Sequence, residues 1–205
     1  GFGGLLGPRT ALLSHQLYVA ANVGKRFAPR VLLADEVGLG KTIEAGLILT
    51  QQLHRQRVRR VLVLVPETLA HQWLIEMQRR FHLAFSLLNA ERLEDADIEA
   101  EFSENALVIA PISLFEADPV TREIVSGLEW DMVVIDEAHH ITGIGEESTD
   151  LGQFVCEMSA RGRGLLLLTA TPEQAGLRSH FDRLQLIDPA PVSYTHLTLP
   201  TTCTV

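Results

Sequence analysis

Short runs of consecutive apolar residues, each followed by a longer amphipathic stretch, recur along the chain. The runs lack the alternation of apolar and polar residues found in half-exposed strands, and they are typical of strands buried on both faces of a parallel sheet. A shorter run, Phe85–Leu88, is a candidate sixth strand. The five clear runs are Val31–Ala34, Val61–Val65, Leu107–Ala110, Met132–Ile135 and Leu165–Leu168.

The stretches between the apolar runs predict helices. Strands that alternate with helices favour an α/β fold, in which right-handed crossovers lay the helices on both faces of one parallel sheet. We expect this domain to cover residues 14–189, with residues 1–13 as a lead-in. The predicted helices are His15–Arg26, Thr42–Arg55, Thr68–Phe81, Val120–Ser126 and Leu151–Ser159.

The final stretch, residues 190–205, follows a different pattern. From residue 191 it reads PVSYTHLTLPTTCTV, with five threonines, no charged residue and no periodicity of a helix or core strand. It resembles translated adapter sequence, and we expect it to be foreign to the domain; a genuine linker or strand is the alternative. We assign no function to it.

The composition is ordinary for a globular domain, with 46% hydrophobic and 21% charged residues. A length of 205 residues allows one lobe with a sizeable core but not two such lobes. The apolar runs are too short to span a membrane. Two cysteines, Cys156 and Cys203, lie far apart without metal-ligand spacing, which favours a reduced, cytoplasmic protein.

The net charge of −9 is unevenly distributed. Residues 91–104 contain seven acidic residues and one arginine, which predicts a solvated acidic loop or helix face. Four arginines stand where the second predicted helix should end, and we expect them to complement the helix dipole, with phosphate contact as the alternative. They are Arg55, Arg57, Arg59 and Arg60. Charge alone does not indicate a nucleic-acid partner.

A glycine-rich segment follows the first predicted strand and precedes a helix, the context that a phosphate-binding loop requires. It reads DEVGLGKT over residues 35–42. Glycines let backbone N–H groups approach a phosphate closely, and the helix N-terminus adds partial positive charge. Lys41 would neutralise the β- and γ-phosphates, and the Thr42 hydroxyl would ligate Mg²⁺. Asp35 stands where the general pattern has glycine.

Two acidic residues come directly after the buried run Met132–Ile135, in the segment DEAH. Because ligands of open α/β sheets bind outside the carboxyl ends of the strands, this pair and the lysine loop are expected to face one site. Asp136 would hold Mg²⁺ through water. Glu137 would orient and deprotonate the attacking water, which typically contributes about 10²–10⁴-fold in rate. The segment TATP, residues 169–172, follows the last predicted strand in the same way.

The segments DEVGLGKT, DEAH and TATP, in this order, resemble motifs I, II and III of superfamily II helicases and translocases. Longer blocks such as LLADEVGLGKTIEAGLIL and VLVLVPETLAHQW are similar to the Swi/Snf branch, and within it to bacterial members associated with RNA polymerase. This resemblance implies a RecA-like P-loop ATPase lobe with ATP and Mg²⁺ as cofactors. It also implies nucleic acid as a partner, with duplex DNA favoured over RNA, and RNA polymerase as a second partner.

The resemblance further assigns roles to residues of this sequence. Gln16 would hydrogen-bond the adenine edge. For Trp73, packing on an amphipathic helix is favoured over a functional role. The residues that would bind nucleotide are Asp35, Glu36, Val37, Gly38, Leu39, Gly40, Lys41 and Thr42. Those that would couple the nucleotide state to nucleic-acid grip are His139, Thr169 and Thr171. Those that would touch the nucleic-acid backbone are Pro66, Glu67, Thr68, Ile112 and Ser113.

Motors of this kind hold ATP between two RecA-like lobes, and the second lobe supplies an arginine finger. Such an arginine is worth about 10³–10⁵ in the rate of phosphoryl transfer. These 205 residues contain only one strand–helix series, so we expect part of a longer protein. This part is expected to bind nucleotide, to hydrolyse it very slowly and not to translocate.

Two other functions are compatible with the same motifs. A DEAH-type RNA helicase lobe would belong to a protein that separates strands, whereas a translocase turns over ATP without unwinding. A non-catalytic, nucleotide-gated interaction module would bind a partner without hydrolysis. The presence of Lys41, Asp136 and Glu137 favours a catalytic protein over such a module.

Overall fold

The computed structural model describes residues 17–18, 21–34, 38–138, 141, 149–169, 176 and 187–188. Within them, all five apolar runs are confirmed as strands, and the candidate sixth strand is confirmed in shortened form. Several strands extend one residue beyond the predicted run, because flanking residues continue the ladder. The strands are β1 Arg30–Ala34, β2 Val61–Val65, β3 Ser86–Leu87, β4 Leu107–Pro111, β5 Met132–Ile135 and β6 Gly164–Thr169.

The described strands form one parallel sheet in the order β1-β6-β5-β2-β4-β3. β2 and β5 lie in its interior, and nearly all of their residues are fully buried. This burial explains why the strands are continuously apolar: a strand covered on both faces has no solvated side on which polar residues would be favourable. The predicted fold class, a parallel sheet covered by helices on both faces, is confirmed.

Seven α-helices and one 3-10 turn accompany the strands in the described part of the chain. The helix of the lysine loop begins at Gly38, four residues earlier than predicted, and three short helices were not predicted. Residues 21–24 are also helical, within the region predicted as the first helix. The helices are α1 Gly38–His54, α2 Ala70–Phe81, α3 Ala90–Leu93, α4 Ile98–Glu104, α5 Ile112–Ala117, α6 Pro119–Gly127 and α7 Asp150–Arg161, with a 3-10 turn at Glu67–Leu69.

Alternate residues of each strand enter two separate cores. One core lies beneath α1 and α2, where Ile48 and Met77 pack against residues such as Val63. The other lies beneath α4 to α7, where Phe115 and Met158 pack against the opposite side of the sheet. Because burial of an aliphatic or aromatic side chain is worth about 1.5–3 kcal/mol, both layers hold the helices firmly on the sheet.

The acid-rich stretch 91–104 is largely helical. Asn89 Oδ1 accepts a hydrogen bond from the backbone N–H of Arg92, and Asp97 caps α4 in the same way. Leu93 and Phe102 anchor the two short helices in the core, while most of the carboxylates face solvent. The acidic residues therefore lie on the solvent-exposed side of two short helices whose apolar residues enter the core.

The strand register brings the predicted functional segments to one edge. Ala34 pairs with Thr169, and Val65 pairs with Pro111, so these strands end side by side at their carboxyl ends. β5 ends between them, where Ile135 pairs with Leu167. The residues that follow β1, β2, β4, β5 and β6 consequently share this edge of the sheet.

Candidate nucleotide-binding site

Lys41 and Thr42 are the fourth and fifth residues of α1. Both are buried, and only 3% of Lys41 is exposed. A buried ammonium is unfavourable unless a negative charge or hydrogen-bond acceptor compensates it. The N-terminus of a helix is itself suited to bind an anion, because its first N–H groups have no partner within the helix.

Asp136 and Glu137 follow β5 and are fixed by the backbone around them. The N–H of Asp136 donates to the carbonyl of Leu64 at 2.9 Å, which continues the β5–β2 ladder by one residue. Its Oδ1 accepts a hydrogen bond from the N–H of Glu137 at 2.8 Å. Glu137 adopts a left-handed backbone conformation with φ of 51°, an uncommon state for this residue. The chain therefore turns sharply at the acidic pair.

An ion pair connects the lysine loop to the acidic motif. Lys41 Nζ lies 3.5 Å from Glu137 Oε1, although the residues are far apart in sequence. The structure thus brings together two of the residues predicted for one site, and Thr42 and Asp136 adjoin them in sequence.

Trp73 reaches the same cluster from α2. Its indole Nε1 donates a 2.8 Å hydrogen bond to Asp136 Oδ2, and only 1% of the residue is exposed. The predicted packing role is present, since Trp73 belongs to the core beneath α1 and α2. The hydrogen bond to Asp136 was not predicted, because no local sequence pattern specifies which acceptor a buried indole will meet.

Two predicted nucleic-acid segments also meet at this edge. Pro66, Glu67 and Thr68 follow β2, and Ile112 and Ser113 follow β4. Ser113 Oγ donates to Glu67 Oε2 at 3.2 Å, so the two segments form one continuous surface. Thr169, predicted to couple nucleotide state to grip, is the fully buried last residue of β6.

Several predicted site residues lie outside the described residues. They are Gln16, Asp35, Glu36, Val37, His139 and Thr171. For Gly38 and Leu39 the backbone is described as the start of α1, and Gly40 is buried. The predicted roles of all these residues remain predictions.

A model of the SNF2-related domain matches residues 22–197 of the chain. This range includes the lysine loop, the acidic motif and all six described strands. The chain belongs to the SNF2-related domain family.

Curated proteins similar to this SNF2-related domain include the RNA polymerase-associated protein RapA of Actinobacillus pleuropneumoniae serotype 7 (strain AP76), which is 54% identical over 194 residues and 90% of the chain. RapA of Haemophilus influenzae (strain ATCC 51907 / DSM 11121 / KW20 / Rd) is 51% identical over 189 residues and 91% of the chain. The chain spans about a fifth of the length of these curated relatives, 20% in each case.

Solved structures share the fold of this SNF2-related domain. The Sulfolobus solfataricus SWI2/SNF2 ATPase core in complex with dsDNA matches with a TM-score of 0.64 at 20% identity, covering 88% of the chain and 35% of that structure. The UvsW helicase from bacteriophage T4 matches with a TM-score of 0.58 at 14% identity, covering 84% of the chain and 57% of that structure. At these identities the likeness demonstrates the fold alone.

Burial dominates the electrostatics of the acidic motif in this SNF2-related domain. Desolvation raises the pKa of Asp136 above its ordinary value, while the hydrogen bond from Trp73 lowers it. The neighbouring charge of Glu137 raises the same pKa, and that of Lys41 lowers it. A cation bound beside Asp136 would lower this pKa and favour the carboxylate form.

The donor set of this SNF2-related domain suits Mg²⁺ bound together with a nucleotide. In the described part of the chain, no group of three or more His, Cys, Asp or Glu residues forms a complete metal site. Mg²⁺ commonly keeps several waters and takes one or two protein oxygens plus substrate phosphates. Thr42, at the start of α1, and Asp136, after β5, supply a hydroxyl and a carboxylate of the kind that this mode requires.

Among the described helices of this SNF2-related domain, none is both long enough and apolar enough to cross a membrane.

Proposed function

We propose that the chain is the ATP-binding lobe, residues 14–189, of a RapA-like, ATP-dependent nucleic-acid translocase that acts on RNA polymerase during transcription. The observation that carries the proposal is the 3.5 Å ion pair between Lys41 and Glu137, which unites the phosphate-binding loop with the acidic motif. Identities of 51–54% to proteins named RNA polymerase-associated protein RapA support the choice of parent.

Each residue of the cluster has a definite task in this proposal. Lys41 neutralises the β- and γ-phosphates of ATP, exchanging the carboxylate of Glu137 for phosphate oxygens. Thr42 and Asp136 would hold Mg²⁺, Asp136 through water. Bound Mg²⁺ supplies positive charge that offsets the charge on the phosphates. Glu137 orients the attacking water and accepts its proton.

The neighbouring edge of the sheet supports a role for nucleic acid. Pro66–Thr68 follow β2, and Ile112 and Ser113 follow β4, at the same edge of the sheet as Asp136. They carry hydroxyl and backbone groups, the kinds of group that bind phosphates without sequence specificity. A similar fold is known from an ATPase core in complex with dsDNA, and we propose duplex DNA rather than RNA as the ligand here. The proposed setting is the bacterial cytoplasm, with RNA polymerase as protein partner.

Binding of ATP tests the proposal directly in this chain. Titration with a fluorescent ATP analogue in Mg²⁺ should give saturable binding, and Lys41→Ala should weaken it by about 10- to 100-fold, because hydrogen bonds to charged groups contribute about 1.5–3 kcal/mol. Lys25→Ala is the matched control, since Lys25 is exposed near the amino end of β1. Absence of binding by the unaltered chain would contradict the proposal.

Turnover must be measured in a longer protein that continues into a second lobe. We expect duplex DNA to stimulate ATP hydrolysis there without separating strands, and the present chain alone to hydrolyse ATP very slowly. Unwinding of a labelled duplex would indicate a helicase instead. If Glu137→Gln leaves turnover and function of the longer protein unchanged, a non-catalytic, nucleotide-gated module is the better description.

A further inference from the structure

Trp73 is joined to the acidic motif by a buried hydrogen bond that no part of the proposed reaction uses. Its Nε1 lies 2.8 Å from Asp136 Oδ2; Trp73 is 1% exposed, and Asp136 is buried but keeps 7% of its surface exposed. An indole has only one hydrogen-bond donor and no acceptor. Trp73 therefore makes its single possible N–H hydrogen bond to this carboxylate oxygen.

The second oxygen of the same carboxylate is also held. Asp136 Oδ1 accepts from the N–H of Glu137 at 2.8 Å, so each oxygen has one protein donor. Two donors on different oxygens fix the rotation of the carboxylate plane about the Cβ–Cγ bond. A carboxylate accepts about four hydrogen bonds, which leaves lone pairs in defined directions for a hydrated cation.

The two donors differ in what holds them. The Glu137 N–H belongs to the same turn as Asp136 and moves with it. Trp73 comes from α2 and packs with Met77 in the core beneath α1 and α2, so its indole is fixed by a separate layer of the fold. Trp73 therefore fixes one oxygen of the Asp136 carboxylate from a helix that is not part of the acidic segment.

We propose that Trp73 is a positioning residue for metal binding: its N–H orients Asp136 so that the free lone pairs meet the water shell of the Mg²⁺ that accompanies ATP. This inference rests on the proposed function. Outer residues that orient a metal-binding group typically change metal affinity by about 10- to 100-fold when they are removed.

The test measures the Mg²⁺ dependence of nucleotide binding in the 205-residue chain. The dissociation constant of a fluorescent ATP analogue is determined at increasing Mg²⁺ for the unaltered protein, for Trp73→Phe and for Trp130→Phe. Trp130 is a suitable control because it is equally buried but donates to the carbonyl of Val125, away from the cluster. All three proteins should bind with similar affinity in excess EDTA.

With Mg²⁺ present, Trp73→Phe should need about tenfold more metal for half-maximal enhancement of binding, and Trp130→Phe should behave like the unaltered protein. Because a phenyl ring is smaller than an indole, a second variant removes the N–H alone. In the Trp130→Phe background, Trp73 is replaced by benzothienylalanine, which keeps the bicyclic shape and has sulfur in place of N–H. The same tenfold shift is expected for it.

The outcomes separate the inference from the function on which it rests. If the unaltered chain gains affinity with Mg²⁺ and both Trp73 variants respond to the metal as it does, the inference is wrong and the proposed function stands. If the unaltered chain binds no nucleotide, the proposed function fails and the inference fails with it. A shift in Trp73→Phe that the benzothienyl variant does not reproduce would indicate a packing effect and would also overturn the inference.

Discussion

Lys41 Nζ and Glu137 Oε1 lie 3.5 Å apart, with Lys41 almost fully buried and Glu137 partly exposed. The buried ammonium is thus compensated by the carboxylate that is proposed to activate water. Under the proposed function, a triphosphate that binds Lys41 competes with Glu137 for this ammonium.

Glu137→Gln is expected to separate binding from turnover. The substitution removes the negative charge beside Lys41, so the chain should bind ATP at least as tightly as the unaltered protein. In a longer protein with a second lobe, kcat should fall by about 10²–10⁴-fold, because a general base has been lost. Fluorescent-nucleotide titration and steady-state kinetics measure the two effects. Glu129→Gln, at an exposed position, should change neither. Weakened binding in Glu137→Gln would contradict the role given to the ion pair.

Phe115 is expected to be among the most important residues of the core beneath α4 to α7. It is fully buried, and its ring stacks on Phe154 with centroids 4.7 Å apart. Phe115→Ala should lower the free energy of unfolding by about 3–5 kcal/mol, because it leaves a cavity in a close-packed layer. Urea denaturation checks this value. Val120→Ala, at a position 59% exposed on the adjoining helix, should change it by less than about 0.5 kcal/mol.

Arg60 is expected to be irreplaceable by lysine. It belongs to the arginine cluster predicted to complement a helix dipole, but its guanidinium lies over the Trp130 ring, 4.5 Å from the centroid. The carbonyl groups that accept its hydrogen bonds are those of Phe102, Ser103 and Glu129. Arg60→Lys should lower the free energy of unfolding by about 1–3 kcal/mol, since an ammonium cannot reproduce this planar set of donors. Arg55→Lys, at an exposed position, should be nearly neutral in the same urea titration.

Asp118 should make stability depend on pH in the acid range. It caps α6, accepting a hydrogen bond from the Thr121 hydroxyl at 2.6 Å and another from the Val120 N–H at 2.9 Å. The Thr121 hydrogen bond is the main cause that lowers the pKa of Asp118 below its ordinary value. A lowered folded-state pKa stabilises the protein above the ordinary pKa, and this stability is lost as the pH falls through the folded-state value.

Asp118→Ala should therefore cost about 1 kcal/mol near neutral pH, the usual value of a helix cap, and progressively less below about pH 4. Urea denaturation at pH 7 and pH 3 gives the two differences. Asp118→Asn keeps an acceptor oxygen without a titrating group, so it should retain most of the cap and show no corresponding acid transition. An Asp118→Ala deficit that is equal at both pH values would refute this account.

The strands could be predicted because their signal is local, and the order of the motifs after the strands indicated that Lys41 and Glu137 would meet at one edge of the sheet. A doubly buried strand such as Val61–Val65 must be apolar throughout, and a phosphate-binding turn needs glycine and lysine at fixed spacing. The short helices α3 to α5 were missed because they are too brief for a 3.6-residue pattern to emerge. Their caps at Asn89 and Asp97 were the available signal.

The bond from Trp73 to Asp136 could not be predicted, because it depends on how α2 crosses the sheet. The sequence places an apolar tryptophan on an amphipathic helix, and packing is the expected role for such a residue. Only the folded protein brings its N–H to the carboxylate of Asp136, the residue that follows β5. A buried tryptophan near an acidic motif is therefore a reason to look for a donor as well as a packing partner.

The strand order has a consequence for when the protein becomes competent to bind its ligand. Strand β1, which leads into the lysine loop, pairs with β6 and with no other strand in the described residues. During synthesis β1 emerges early, yet its hydrogen-bonding neighbour is the last strand of the sheet to leave the ribosome. The pairing of β1, the strand that precedes α1, is therefore completed only after residues 164–169 have been made. If the chain binds ATP as proposed, a truncation that removes residues 164–169 should weaken that binding even though Lys41 and Glu137 are still present.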